Sequence, residues 1–368
     1  MYWLPAILVL PYFILFLRLY RSLIRIETFS FSDDPVTFVS LVIASRNEQN
    51  HLPSLLKAVA LQNYSKDLFE VIIIDDHSSD KSVEIAAEFD DIRNFHVISN
   101  KGTGKKQALR TGIEAARGNL IITTDADCRM ETDWIRTIAA FYEKNSPDMI
   151  ICPVQIESVP LIFGRFQELE FLSLQGITAA CALAGDATMC NGANIAFTRE
   201  AYLNHCADLH DEINSGDDIF LLHSLKKENK RKILWLESAD SMVTTESSPT
   251  LASFLEQRSR WLSKGKAYKD GSTIVLGIVT FITIVLLLVY LTGSLINAHL
   301  FSVLMMILIL KSVPDFLILL NTSTRYNRRS LMKWFLPAQL IYPFYVLSVV
   351  SYTLIFRNQA SSPSQKET

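Results

Sequence analysis

Three stretches of this chain contain no Asp, Glu, Lys or Arg: Met1 to Leu17, Ile274 to Leu310, and Trp334 to Phe356. In hydrocarbon a backbone must satisfy its own hydrogen bonds, so an apolar run of about 20 residues folds as a membrane-spanning helix. The first run is near the lower length limit, and the second is long enough for most of two spans. Four transmembrane helices are therefore expected, at about 2–20, 273–293, 298–320 and 334–356. These runs account for a mean hydropathy of +0.21 in a chain that is still 20% charged, because the charge is concentrated between them.

The flanking charges predict an orientation. No basic residue precedes the first run and no small-residue cleavage site follows it, which favours an anchor over a removable signal peptide. Arg18, Arg21 and Arg25 follow this run. Residues 292–299 hold no Lys or Arg, whereas Arg325, Arg328, Arg329 and Lys333 lie between the third and fourth spans. By the positive-inside rule the N-terminus and C-terminal tail are expected to face outward and the region between the first and second spans to be cytosolic. The expected organisation is an N-terminal transmembrane helix (1–26), a cytosolic α/β domain (27–272), three transmembrane helices (273–358) and a disordered tail (359–368). The expectation is an integral protein of the plasma or inner membrane.

A net charge of −3 carries no nucleic-acid footprint. Lys226, Lys227, Lys230, Arg231 and Lys232 form a basic cluster, read first as a solvated helix end and second as a contact to anionic lipid. Cys128, Cys152, Cys181, Cys190 and Cys206 show no paired metal-ligand spacing and are read as reduced, structural thiols.

From Val36 onward strand and helix alternate. Strands are expected at Phe38–Ala44, Glu70–Asp75, Phe95–Ile98 and Leu120–Thr124, with helices at Gln49–Leu61, Asp80–Phe89 and Gly104–Arg117. Continuous Val/Ile runs indicate strands covered on both faces, hence a mostly parallel sheet flanked by helices. The ends of such strands are where an open α/β sheet binds ligands. Strand one ends in Ser45-Arg-Asn-Glu48, strand two in Asp75-Asp76 and strand four in Asp125-Ala-Asp127. Acidic strand ends repel one another unless a cation or hydrogen-bond donors share the site. A carboxylate pair there suits a hard divalent cation shared with a phosphate-bearing substrate. The alternative is a set of turn or helix-capping aspartates. Between strands three and four, Asn100-Lys-Gly-Thr-Gly-Lys-Lys106 leads into a helix and offers N–H groups and lysines to a phosphate. Its spacing does not match an ATPase phosphate loop.

Six segments occur in an order that resembles family 2 glycosyltransferases. They are Val42-Ile-Ala-Ser-Arg-Asn-Glu48, Ile74-Asp-Asp-His-Ser-Ser-Asp80, Asp125-Ala-Asp127, Asn191-Gly-Ala-Asn-Ile-Ala-Phe197, Gly216-Asp-Asp218 and Gln257-Arg-Ser-Arg-Trp261. The last is the Q-x-x-R-W pattern of cellulose-, chitin- and hyaluronan-synthase-like members. The resemblance covers roughly residues 36–262. It implies a GT-A-type (Rossmann-like) fold and inverting displacement on a nucleotide sugar, expected to be a UDP-sugar, with Mg²⁺ or Mn²⁺. It further implies that Asp127 ligates the metal and that Asp125 contacts the metal or the ribose. Glu48, Asp75 and Asp76 would lie around the nucleoside, with Lys101 or Lys105 near the phosphates. Asp218, in preference to Asp217, would be the general base. Gln257, Arg258, Arg260 and Trp261, on a helix expected over Leu251–Tyr268, would clamp the diphosphate and help shape the acceptor site; an interfacial Arg/Trp belt is the plainer reading. Asn191, Gly192 and Asn194 would shape the acceptor pocket.

Pro160–Leu183 is apolar with few charges and is expected along the membrane surface. Lys311 and Asp315 share a face of the third span, read first as a neutralised pair and second as part of a path for a polar acceptor. The leading expectation is a membrane-embedded, metal-dependent glycosyltransferase acting on a lipid or lipid-linked acceptor. The alternatives are a processive polysaccharide synthase, towards which Gln257–Trp261 pulls, and a non-catalytic membrane scaffold.

Overall fold

The computed structural model describes residues 7–213 and 215–356. They form two compact units. One contains residues 27–157 and 185–246, and the other contains 7–26, 158–184 and 247–356.

The first unit is built on strands β1 (Val39–Ser45), β2 (Phe69–Asp75), β3 (Phe95–Ser99), β4 (Leu120–Thr123), β5 (Arg129–Met130), β6 (Met149–Ile151), β7 (Val154–Glu157), β8 (Ile195–Thr198), β9 (Ile233–Trp235) and β10 (Val243–Glu246). Seven of them form one sheet in the order β3-β2-β1-β4-β8-β6-β9, and β5-β10-β7 form a small second sheet. In the large sheet β3, β2, β1 and β4 run parallel, as do β6 and β9. Only β8 is antiparallel to its neighbours β4 and β6. The residues of β1 and β2 are buried almost without interruption, as the unbroken apolar runs require of strands covered on both faces. Leu41, Ile43, Val71 and Ile73 share one core with Leu52, Leu55 and Leu56 of the helix Leu52–Ala60 and with Trp134, Ile135 and Ile138 of the helix Trp134–Asn145.

Buried Glu70 in β2 is fully engaged: Ser40 Oγ donates to it at 2.6 Å, the Arg117 backbone N–H at 2.7 Å and Arg117 Nε at 2.8 Å. Burial works to raise its pKa, but these donors together hold the carboxyl below its ordinary value. The basic cluster is partly structural, since Lys226 pairs with Asp186 at 2.7 Å and Lys232 donates to the Ser146 carbonyl at 2.6 Å. No disulfide joins any of the five cysteines, all of which lie among the described residues.

The second unit is helical. Three helices among the described residues are long and apolar enough to cross a membrane: Gly271–Ile296, His299–Arg325 and Arg329–Ile355. The helix described for the N-terminal run is Leu10–Leu23, 14 residues. That spans about 21 Å at 1.5 Å per residue, against roughly 30 Å of hydrocarbon. The start of the expected 2–20 span, and the expected disordered tail, lie outside the described residues.

The helix Ile162–Leu183 packs with Leu10–Leu23 and His299–Arg325. Gly176 permits that approach: a Cβ there would lie 2.4 Å from Thr322 Oγ1, so a small residue is needed for the two backbones to pack closely. The stretch 27–272 is thus not one contact unit, because 158–184 and 247–272 group with the apolar helices. Several polar groups on Ile162–Leu183 find partners within that unit. Gln167 exchanges two hydrogen bonds with the backbone of Ser248, and Arg165 donates to Glu168 at 2.8 Å.

Candidate active site

The carboxyl ends of β1 and β2 are laced together by their loops. The Asn47 N–H donates to Ser78 Oγ at 3.0 Å, the Ser79 N–H to Asn47 Oδ1 at 2.8 Å and the Glu48 N–H to Ser82 Oγ at 2.7 Å. Glu48 itself holds His51 Nδ1 at 2.8 Å. Asp75 accepts the Ser78 N–H across its turn at 3.2 Å. Asp76, in contrast, is buried and committed. It accepts from Asn100 Nδ2 at 2.6 Å and from the Gly104 N–H at 2.9 Å to both oxygens, with Arg46 at 3.7 Å. Asp76 therefore anchors the Asn100–Gly104 loop, while half-exposed Asp75 is the acid more open to a ligand.

This loop ends at Gly104, where the helix Lys105–Ala115 begins. The two lysines expected near phosphate separate here. Lys101 is exposed and lies 4.0 Å from Glu114, whereas Lys105 Nζ donates to Asp125 Oδ1. Desolvation opposes the Lys105 charge, but the carboxylates of Asp125, then Asp217 and Asp218, hold its pKa above the ordinary lysine value. One ammonium thus pairs with Asp125 and feels the charges of Asp217 and Asp218.

Asp127 accepts from Thr245 Oγ1 of β10 at 3.2 Å. Cys128 Sγ lies 3.7 Å from Asp127 Oδ1, and burial followed by the Asp125 and Asp127 charges pushes its thiol pKa up, so it stays protonated. Among the described residues no group of three or more His, Cys, Asp or Glu side chains is arranged to hold a metal. That donor set still fits a hard cation of the Mg²⁺ type. Such ions are held by one or two carboxylates and complete their shell with waters and substrate phosphates. Half-exposed Asp125 and Asp127 would supply the two carboxylates.

Asp218 reaches the same sheet edge by a different route. Gly216 adopts φ +94°, a left-handed conformation that suits glycine, and turns the chain into the helix Asp217–Asn229. Both aspartates occupy its first turn, where the helix dipole favours negative charge. Asp218 Oδ2 accepts the Gly192 N–H at 2.9 Å, and the Gly192 carbonyl accepts from Thr123 Oγ1, at the end of β4, at 3.2 Å. Thr123 pairs with Ile195 in the antiparallel β4–β8 ladder, which sets the Asn191–Asn194 turn beside the Asp125–Asp127 strand end.

Within that turn the expected acceptor residues divide. Asn191 Oδ1 accepts the Ala193 N–H at 3.1 Å, shaping the turn that presents Gly192. Asn194 is fully buried, expected at the acceptor pocket but removed from it by its bonding. It accepts from Trp134 Nε1 at 3.0 Å and donates to the carbonyls of Pro153 at 2.7 Å and Ser241 at 2.8 Å. It pins the core beneath the turn.

Gln257, Arg258, Arg260 and Trp261 lie on the helix Leu251–Ser263 of the helical unit. Arg258 is buried and paired with Glu170, Nη2 to Oε2 at 2.6 Å and Nε to Oε1 at 3.2 Å. Tyr345 Oη donates to the same Glu170 at 2.9 Å, and the guanidinium stacks 4.2 Å from the Trp261 ring. Arg258 was expected at the diphosphate, but its donors are turned into this protein-internal pair. Arg260 is exposed and Trp261 half-buried. Sequence reasoning missed Thr245, Glu170 and Tyr345. Two acids, Glu168 and Glu170, in the largely apolar Ile162–Leu183 stretch were a usable signal for Glu170, whereas nothing local marks Thr245.

Residues 40–205 match the family model described as Glycosyl transferase family 2. Over 110 residues the chain is 38% identical to the undecaprenyl-phosphate 4-deoxy-4-formamido-L-arabinose transferase of Pseudomonas fluorescens, covering 29% of this chain and 32% of that protein. The match thus spans about a third of the length of this relative. Among solved structures, the mannosyltransferase PcManGT of Pyrobaculum calidifontis, in complex with GDP-Man and Mn²⁺, superposes with a TM-score of 0.59. It is 15% identical, with 96% of this chain and 99% of that chain covered. The likeness supports the GT-A-type fold, a mostly parallel sheet flanked by helices, expected from the motifs.

Proposed function

Because residues 40–205 belong to glycosyl transferase family 2, we propose that this chain is a membrane-embedded inverting glycosyltransferase. It moves a sugar from a nucleotide-sugar donor, a UDP-sugar, to a lipid or lipid-linked acceptor, and it works from the cytosolic face of the membrane. The observation that carries the reading is the convergence of Asp125, Asp127, Lys105 and Asp218 on one sheet edge through Gly192 and Thr123.

In this reading Asp75 and Glu48 face the nucleoside, while Asp76 acts indirectly by shaping the Asn100–Gly104 loop. Asp127, with Asp125, holds a divalent cation, Mg²⁺ or Mn²⁺. When bound, that cation neutralises charge on the leaving nucleoside diphosphate. Lys105 adds a second positive charge beside the same phosphates. Asp218 takes the proton of the acceptor hydroxyl as its oxygen attacks the anomeric carbon and the sugar–phosphate bond breaks. Arg258, paired with Glu170, braces the helix that carries Gln257, Arg260 and Trp261. The lipid acceptor is supported by the three apolar helices and by a relative whose name specifies undecaprenyl phosphate.

The test is donor turnover by detergent-purified protein with Mg²⁺ or Mn²⁺ over UDP- and GDP-sugars, using polyprenyl phosphate and a hydroxyl-bearing lipid as alternative acceptors. Metal-dependent release of one nucleoside diphosphate, abolished in Asp127→Ala, is expected together with a singly glycosylated lipid. A long polymeric product would instead favour the processive synthase to which the Gln257–Trp261 pattern points. Absence of turnover and of nucleotide binding would leave the scaffold.

A further inference from the structure

The helix that presents Lys105 to the carboxylates carries a second lysine with a different task. Lys106 is buried, and its ammonium is turned onto the main chain. It donates to three backbone carbonyls, of Leu209 at 2.6 Å, His210 at 2.9 Å and Ile213 at 2.8 Å, and lies 5.4 Å from the Phe220 ring centre. Burying an ammonium is costly unless its donors are satisfied, and an apolar side chain would fill the same volume without that cost. A lysine ammonium has three donors, and three carbonyls of one short segment accept from it.

All three belong to the segment that leads into Gly216 and the Asp217–Asn229 helix. Within it His210 is held at φ +57°, an uncommon conformation for a residue with a side chain. Arg110, one turn along the Lys106 helix, adds an ion pair to Asp211 at 3.8 Å. The same helix thus touches Asp125 through one lysine and grips the lead-in to Asp218 through the next.

We propose that Lys106 is a positioning residue for the candidate base. It fixes Leu209–Ile213 so that Gly216 turns where Asp218 can meet the Gly192 N–H. This rests on the assignment of Asp218 as the base. Because Asp76 anchors the loop that precedes this helix, that loop and the lead-in to the base are both tied to the start of one helix.

The experiment is a double-mutant cycle in the full-length, detergent-purified protein. It uses Lys106→Met, Asp218→Asn and the double variant, with UDP binding and nucleoside-diphosphate release as readouts. Misplacing a catalytic group by about 1 Å costs roughly 10²-fold, so Lys106→Met is expected to lose up to that factor in kcat. Its UDP affinity and donor KM should stay within about threefold, because it removes no contact to the donor. Lys106→Gln, which keeps two donors, should fall between Met and wild type, and it carries the same cycle should Lys106→Met not fold. The double variant should turn over as Asp218→Asn alone, the mark of two residues acting as a unit.

Hydrogen exchange should quicken at residues 209–213 in Lys106→Met while the β1 and β2 amides stay protected. Wild-type kcat in Lys106→Met, or losses that multiply in the double variant, would overturn the positioning role. Wild-type turnover in Asp218→Asn would instead remove the base assignment, and this inference with it.

Discussion

Asp218 and Asp315 are both aspartates with close partners, but they are enclosed differently. Asp218 is partly exposed and accepts from the Gly192 N–H, while nearby Asp125 and Asp127 each meet one close polar side chain and keep further oxygen lone pairs. Asp315, in the helical unit, is closed off. Tyr12 Oη donates to it at 2.6 Å, Lys311 Nζ at 2.6 Å and Gln339 Nε2 at 3.1 Å. Lys311 in turn donates to Gln339 Oε1 at 2.8 Å and sits 4.9 Å from the Tyr342 ring centre. In the proposed function the first group receives the donor, the cation and the acceptor. The second has its charges matched by side chains from three helices, which suits a clasp between helices better than a path for a polar acceptor.

That contrast can be broken by substitution. Asp218→Asn removes a base without removing volume, and a general base is typically worth 10²–10⁴, so turnover should fall about 10³-fold with the melting temperature unchanged. The size of the loss also reports the acceptor. A hydroxyl must give up its proton, whereas a phosphate with a second pKa near 6 is already ionised, and with it the loss should shrink towards tenfold. A drop in melting temperature as large as the drop in rate would mean that Asp218 is as structural as Asp315.

Asp315→Ala should show the opposite pattern. Removing one partner of a buried pair typically costs about 3 kcal/mol or more, read as lower resistance to unfolding in detergent, with the specific activity of the folded fraction kept. Replacing both partners, Lys311→Met with Asp315→Leu, should recover most of that loss. Specific activity lost in both variants at retained stability would reinstate the acceptor path.

Lys105→Met probes the boundary between the two kinds of site, because Lys105 is exposed yet ion-paired. A roughly 10- to 100-fold loss in kcat/KM is expected, with little change in stability, since an exposed pair contributes at most about 1 kcal/mol to folding.

The smallest effect concerns Glu70, a closed carboxylate in the same unit as the open ones. Its folded pKa lies below the ordinary value, so its contribution to stability is present above the unfolded-state pKa. That contribution is lost as pH falls through the folded one. Glu70→Gln should therefore flatten the acid limb of a stability–pH curve, and an unchanged limb would show that its hydrogen bonds do not distinguish the ionised form.

Much of the fold was legible because it rests on local pattern. The charge-free runs after Gly271 became helices close to the expected limits, and the Val/Ile runs became the parallel strands β1 to β4. The strand-end acids were visible as residue types at strand ends. Their division of labour was not: Asp75 and Asp76 are neighbours of the same type, and only the approach of Gly104 commits one of them. Asn194 looked like part of a polar turn until the packing of Trp134 and Pro153 buried it. Arg258 and Arg260 are two residues apart on one helix, and the place of Glu170 on another helix decides which is used internally.

Sequence alone determined that the chain has apolar helices of spanning length, a mostly parallel α/β sheet and acids at its strand ends. These follow from side-chain periodicity and the hydrogen-bonding needs of the backbone, which act over a few residues at a time. Tertiary structure alone decided which acids stay open, that Lys106 grips the lead-in to Asp218, and that Lys311 and Asp315 close upon Tyr12 and Gln339. Each of those outcomes depends on which groups from distant segments meet once water is excluded, and no local pattern encodes that.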